Sequence, residues 1–374
     1  MATAILRDEP LARKAPAAPR AQGVTGKKGE DMAMIKAAAT LTRDLHSASP
    51  AIYWTDLIAS SSIGYAGLAA AILAVPLWAK LAGAIVAIVA LYRALSFIHE
   101  LSHMKPNAVP GFTAGWNLLF GVPVMMPSLM YEGVHTLHHA KTRYGTDRDP
   151  EYMPLARGPV VTLVLFVAVS ALLPIGLILR YGVLAPLSLL SAKLRHAVVT
   201  RYSALAINPA FRRSPPEGAA KRSWLIWETA ASLWAMTFIA LVATGVIPLA
   251  AAATFIAIVS VIAVLNQVRT LVAHLWENEG DAMSITDQYL DSVNVPPPGL
   301  AAEIWAPVGL RYHALHHLLP GLPYHALPEA HRRLVGELGD GSVYAKANYT
   351  SLSGLLAKLV RSCRAAVSIS AGGR

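Results

Sequence analysis

The chain alternates long apolar runs with short polar stretches, and the runs have the length of membrane-crossing helices. Leu57–Trp78 carries no charged side chain and is long enough to cross a hydrocarbon core of ~30 Å. Trp54 and Trp78 flank it where interfacial aromatic rings are favoured. After Ala79-Lys80, Leu81–Ile98 follows with Arg93 as its only charge and leads unbroken into His99. Counted through His103 this helix has 23 residues, roughly 35 Å at ~1.5 Å per residue, so its last turn reaches water. Trp224–Thr244 and Ile247–Val268 predict a second hairpin around Gly245, whose last helix continues through Arg269 to His274.

Two further apolar stretches are interrupted. Residues 104–134 contain Pro106, Pro110, Gly111, Gly121, Pro123 and Pro127, which suits an interfacial or re-entrant segment. Gly158–Ala192 contains Pro174, Gly176, Arg180 and Pro186, and its 35 residues fall short of the ~40 needed for two crossings. It is predicted to be a short re-entrant or interfacial hairpin. The fold class predicted is an all-α integral membrane protein, with four main transmembrane helices in two hairpins plus interfacial or re-entrant helices.

Composition agrees. Apolar residues make up 55% of the 374 and charged residues 14%, with a mean hydropathy of +0.45, whereas soluble domains carry about 25% charged residues. The net charge of +10 is spread between apolar runs rather than gathered on one face among aromatics, which argues against a nucleic-acid groove. Cys363 is the only cysteine, which excludes an intrachain disulfide and a cysteine-built metal site. Any metal is left with nitrogen or oxygen ligands.

Residues 1–50 are rich in Ala, Pro, Gly, Lys and Arg, with no cleavable signal peptide in view. They read as a basic cytoplasmic tail, the first thirty or so disordered, with Met34–Leu45 a short amphipathic surface helix. Residues 51–340 read as the membrane domain and 341–374 as a cytoplasmic C-terminal tail. Lys193–Arg222 holds seven Lys and Arg against one Glu, which places it and both termini in the cytoplasm, most simply at a bacterial inner membrane.

Thirteen histidines are present, and nine fall into four groups: His99 and His103; His135, His138 and His139; His274; and His313, His316 and His317. Spacings of three and four residues put side chains on one helical face, about 5–6 Å apart at Cβ, so that several imidazoles can converge on one ion or two. Imidazole suits Fe, Cu, Zn and Ni. The HExxH of His99–His103 alone also reads as a zinc protease with Glu100 as base. A zincin needs only about three protein ligands, and eight or nine are enough for two metals. The first group and His274 lie just past the second and last long helices, and the other two groups lie in polar stretches on that same side, so all nine can meet at one cytoplasmic surface as a histidine-rich cap. A transporter would carry its ligands inside the spans, near the midplane. His46, His196, His325 and His331 lack partners at ligand spacing and read as solvated surface. Glu100, Glu132, Asp147, Asp149, Asp281 and Asp287 are candidates to orient the imidazoles from behind, Asp147 and Asp149 foremost.

His99–His103, His135–His139 and His313–His317 resemble the three histidine boxes of the membrane fatty acid desaturase family, which includes hydroxylases and ketolases. Ala273-His274-Leu275 resembles the extra ligand region of stearoyl-CoA desaturases, although Thr270 stands where those enzymes have an asparagine; Thr270 is left out of the metal set. The resemblance spans residues about 52–330. It implies a four-helix mushroom-shaped fold, two iron ions held by the nine histidines, O2 as co-substrate and an external electron donor, ferredoxin-like or similar.

Acid–base chemistry has no need of such a site. Breaking an unactivated C–H bond does, because side chains alone cannot supply the oxidant. The expected reaction is fatty-acyl desaturation, with hydroxylation or ketolation of a lipid or carotenoid as the alternative. No residues beyond the metal ligands are assigned to catalysis. The expected partners are a lipid substrate, the membrane and a separate electron-donor protein docking on basic loops such as Lys193–Arg222.

Overall fold

The computed structural model describes residues 29–372; most of the tail predicted to be disordered lies outside the described residues. Helix α1 (Met32–Leu41) is capped by Asp31, whose carboxylate accepts from the Met34 N–H, and buries Met34 and Ala38. The first membrane pair is α2 (Pro50–Leu73) and α3 (Leu77–His103). The turn falls at Ala74–Pro76, earlier than the sequence suggested, because Pro76 has no N–H to donate and suits a helix start. Trp78 therefore belongs to the second helix. Gly67 and Gly83 let the two backbones touch: a Cβ on Gly67 would lie 2.8 Å from the Gly83 carbonyl oxygen, the close approach that small residues allow between membrane helices.

After α3 the chain dips and returns. Trp116 donates to the Ala94 carbonyl, Trp234 donates to that of Pro123, and the Asn117 side chain closes the reversal on Ser128. These bonds fold residues 104–134 back on themselves against the two helix pairs. The chain then enters the four-residue helix α4 (His135–His138).

Gly158–Ala192 differs from expectation. It is no hairpin: Val160–Leu190 (α5) runs as one helical rod of 31 residues, with 3-10 turns at Val169–Leu172 and Ser188–Leu190 and a π turn at Arg180–Leu184. Pro174 and Pro186 sit in the first turns of its α segments, where a missing N–H costs least. The rod lies against both arms of the next pair, α6 (Gly218–Ala243) and α7 (Leu249–Leu271), which join through Gly245 at φ +77°. The Ala171 carbonyl accepts from Ser260 on α7, and Gly182 packs on Ile239 of α6. Arg180, buried, pairs with Glu228. The described chain thus has five helices long and apolar enough to cross a membrane, rather than four.

The polar cap is stitched by short extended pieces. Ser292 bridges His274, and Asn294 bridges both Tyr312 and Asn348; among the described residues these isolated bridges are the β pairing present. They set His274 beside α8 (His313–Leu318). Helix α9 (Leu327–Leu338) packs on α1. It buries His331, whose Nδ1 lies 2.8 Å from the Tyr344 hydroxyl, so the solvated reading of that histidine is corrected. His325 is half-buried and accepts from the Ser49 N–H, while His46 and His196 are exposed. Within the stretch read as a C-terminal tail, α10 (Leu352–Gly372) buries Leu355, Leu359 and Cys363 in a cluster with Leu155 and Trp276.

Candidate metal centre

The structure brings all nine predicted histidines together, in two groups whose nitrogens are spaced to hold a metal ion. One group contains His99, His103, His135, His139 and His316; the other contains His138, His274, His313 and His317. Each HxxHH box is split between them. His135 and His139 share the i,i+4 face of the second box and serve the first group, while His138 is turned toward the second. In the third box, His313 and His317 face one way and His316 the other. Splitting a box in this manner sets two sites side by side.

The Nε2 atoms point inward. His316 Nε2 lies 3.0 Å from that of His103 and 3.2 Å from that of His139, and His139 Nε2 lies 3.0 Å from that of His135. In the second group, His313 Nε2 is 3.0 Å from His274 Nε2 and 3.2 Å from His317 Nε2. A neutral imidazole has one N–H, so these converging nitrogens cannot all be satisfied by each other. Both nitrogens of buried His99 lack a hydrogen-bond partner, the Glu100 carboxylate standing 4.0 Å from Nδ1. A cation between the nitrogens satisfies them, and the donor set fits a nitrogen-preferring transition metal.

Behind the ring of imidazoles stands a layer of acids and phenols. Asp149 receives His138 Nδ1 at 2.9 Å, and Glu151 receives His135 Nδ1 at 3.0 Å. His274 Nδ1 meets the Tyr144 hydroxyl at 2.9 Å, and that hydroxyl donates to Asp291. Such partners fix the ring orientation and leave Nε2 free for metal. Of the carboxylates singled out in the sequence, only Asp149 takes this role. Glu132 accepts from Ser128, Asp287 caps its own helix through Ser284, and Asp147 and Asp281 contribute backbone carbonyls to nearby amides. Glu100 accepts from the Tyr53 hydroxyl and the Tyr324 N–H. Thr270 turns its hydroxyl to the Asn266 carbonyl.

Burial, and after it the neighbouring imidazoles, holds His135, His139, His274, His313, His316 and His317 well below the ordinary histidine range. They are neutral, as metal ligands must be. On His138 burial also opposes charge, but Asp149 outweighs it and the pKa rises. At that ring a proton and a metal ion compete for one nitrogen. Burial lifts Asp291 to about 6.

A model of the fatty acid desaturase family matches residues 51–347. The chain belongs to that family. A ceramide hydroxylase of Caulobacter vibrioides (strain NA1000 / CB15N) is 48% identical over 338 residues, covering 90% of this chain and 96% of its own length. As a member of the desaturase family, the protein is a multi-pass membrane oxidoreductase that uses oxygen and acts on lipid. The family's di-iron character accords with the two histidine groups.

Proposed function

We propose that the protein hydroxylates a ceramide-type lipid, using two iron ions held by the nine histidines. The observation that carries this reading is the 48% identity to a ceramide hydroxylase along nearly that enzyme's whole length. It favours hydroxylation over the desaturation expected first, since both need the same metals and differ in where the substrate carbon rests. In hydroxylation a C–H bond, O2, two electrons and two protons give C–OH and water; desaturation with the same inputs removes two hydrogens and gives two waters. The irons, when bound, supply the oxidising power that side chains lack.

The chain's own residues hold and orient. His99, His103, His135, His139 and His316 serve one iron, and His138, His274, His313 and His317 serve the other. Asp149, Glu151 and the Tyr144–Asp291 pair keep Nε2 of their histidines aimed inward. The apolar helices keep the lipid tail in a hydrocarbon setting. Expression in a host without such an enzyme, followed by mass spectrometry of total lipid, tests the reaction. Ceramides heavier by one oxygen atom are expected; lipids lighter by two hydrogens, with no oxygenated product, would overturn hydroxylation.

In this reading the metal cap and both termini face the cytoplasm, and α5 enters the bilayer without crossing it, because Ile207 and Asn208 in the loop after it bond to Pro150 and Asp149 beside the second box. An acidic electron-donor protein docks on Lys193–Arg222, which holds seven Lys and Arg against one Glu. A cysteine placed at residue 205 is expected to react with membrane-impermeant thiol reagents only from the cytoplasmic side of sealed vesicles. Labelling from the opposite side removes this orientation.

A further inference from the structure

Arg269 lies in the last turn of α7, five residues before His274, and is only 8% exposed. Its Nε is buried without an acceptor, and no described residue accepts a hydrogen bond from its guanidinium or sits in ion-pair contact with it; the opposite charge it acts on is the buried carboxylate of Glu151, which it reaches only through space. Other buried arginines of this chain are treated differently. Arg180 pairs with Glu228 and donates to Ser203, and Arg311 pairs with Glu303 and donates to two carbonyls. A guanidinium keeps its charge and offers five donors, and burying it without a partner is strongly unfavourable. Near a membrane core, such a residue marks a place where something else binds.

The surroundings say what that is. Arg269 lines a small cavity of about 10 Å³ with Val272, Val295, Trp305, Leu310, His313 and a second arginine, Arg311, whose guanidinium is already held by Glu303 and two carbonyls. This is room for about one oxygen-sized group. The walls are mostly apolar, and His313 belongs to the four-histidine group. The charge of Arg269 also reaches His274 and His316, where, after burial and other imidazoles, it helps to keep them neutral. On the other side of the short helix Ala302–Trp305 lies a groove of about 340 Å³ between α2 and α3, lined by Glu303 and Ile304 of that helix and by Ile63 and Val89. Ile63, Val89 and Ile304 are exposed apolar side chains on the face that meets lipid. One short helix therefore separates a lipid-facing groove from the cavity of Arg269.

We propose that Arg269 receives a polar oxygen of the substrate lipid, the amide carbonyl of a ceramide or the carboxylate of a free fatty acid, and so directs oxidation to carbons near the head group. This rests on the reading of the protein as a lipid hydroxylase. A head-group oxygen seated beside His313 puts the first few carbons of the chain at the histidine cluster, and the remainder of the tail lies farther away. Mid-chain oxidation does not fit that placement.

The test uses iron-loaded protein in phosphatidylcholine nanodiscs, with a C16 ceramide and palmitic acid as separate probes. For Arg269→Met, affinity for one of them is expected to fall at least tenfold while iron content stays at the wild-type level. Loss for ceramide alone identifies the amide as the bound group; loss for palmitate alone identifies the carboxylate. In nanodiscs without either probe, the variant is expected to melt no lower than wild type, because a buried cation without a contacting partner has been removed; a purely structural arginine would give a lower melting temperature. Wild-type affinity for both probes, with the oxygen at the same carbon, overturns the proposal. If Arg269→Met does not fold, Arg269→Gln is read by the same affinities. A wild-type product lacking two hydrogens instead of gaining oxygen would overturn hydroxylation and leave the Arg269 binding result standing.

Discussion

Replacing His316 by alanine is expected to lower iron from about two per chain toward one and to reduce lipid oxidation by more than a hundredfold. Its Nε2 is the meeting point of the five-histidine group, within 3.2 Å of both His103 and His139 Nε2. Partners one shell further out are worth roughly 10–100-fold in metal affinity or activity, so a direct ligand is worth more. His138→Ala should act on the other group, where Asp149 holds the ring at 2.9 Å. Metal analysis of the purified variants and lipid mass spectrometry of the same membranes read the two effects together. Insertion into the membrane should be unchanged, because neither residue lies in a candidate span. Full iron and full activity in either variant would remove that histidine from the centre.

Removing the metal from the wild-type protein is expected to loosen the cap while leaving the membrane helices in place. The helices that carry boxes two and three have only four and six residues, and isolated helices shorter than about 12–15 residues are marginal in water. Their order depends on what their side chains hold. Without a cation, buried nitrogens of His99 have no hydrogen-bond partner and the inward Nε2 atoms face each other. Metal binding of this kind is worth several kcal/mol of folding free energy, so chelation should lower the melting temperature by at least about 5 °C. Limited proteolysis should then cut near α4 and α8 first. An identical melting curve and digestion pattern after complete chelation would show that the cap is self-supporting.

The nine histidines could be read from the sequence because local spacing encodes them. Offsets of three and four residues place rings on a common side, and the apolar runs before His99 and His274 bring two groups to the same end of the helices. How the boxes divide between two sites was not legible, since it depends on how three separate segments face each other in space. Glu151 and Asp291 escaped notice for the same reason. Asp291 stands seventeen residues after His274 in a different element, and reaches it through Tyr144, a residue with no spacing relation to either. Asp149, close behind the second box, was within reach of a local argument. The rod Val160–Leu190 was misread because its prolines look like helix breakers. Tertiary support from α6 and α7, together with 3-10 and π turns, lets one continuous helix absorb them. His331 looked solvated beside Arg332 and Arg333, but its own side of α9 turns toward Tyr344.

The distribution of the ligands along the chain has a consequence for how the protein is made. The five-histidine group draws on residues from His99 to His316, and the four-histidine group on residues from His138 to His317. A nascent chain that has inserted α2 and α3 carries two of the nine, and one that has passed α4 carries five. Neither site is complete until His316 and His317 leave the ribosome, after every candidate membrane helix has been translated. Iron delivery is therefore a late event in biogenesis. A chain truncated before residue 313 can still place its helices in the bilayer, yet it displays an open, partial set of imidazoles, available to whatever divalent ion arrives first.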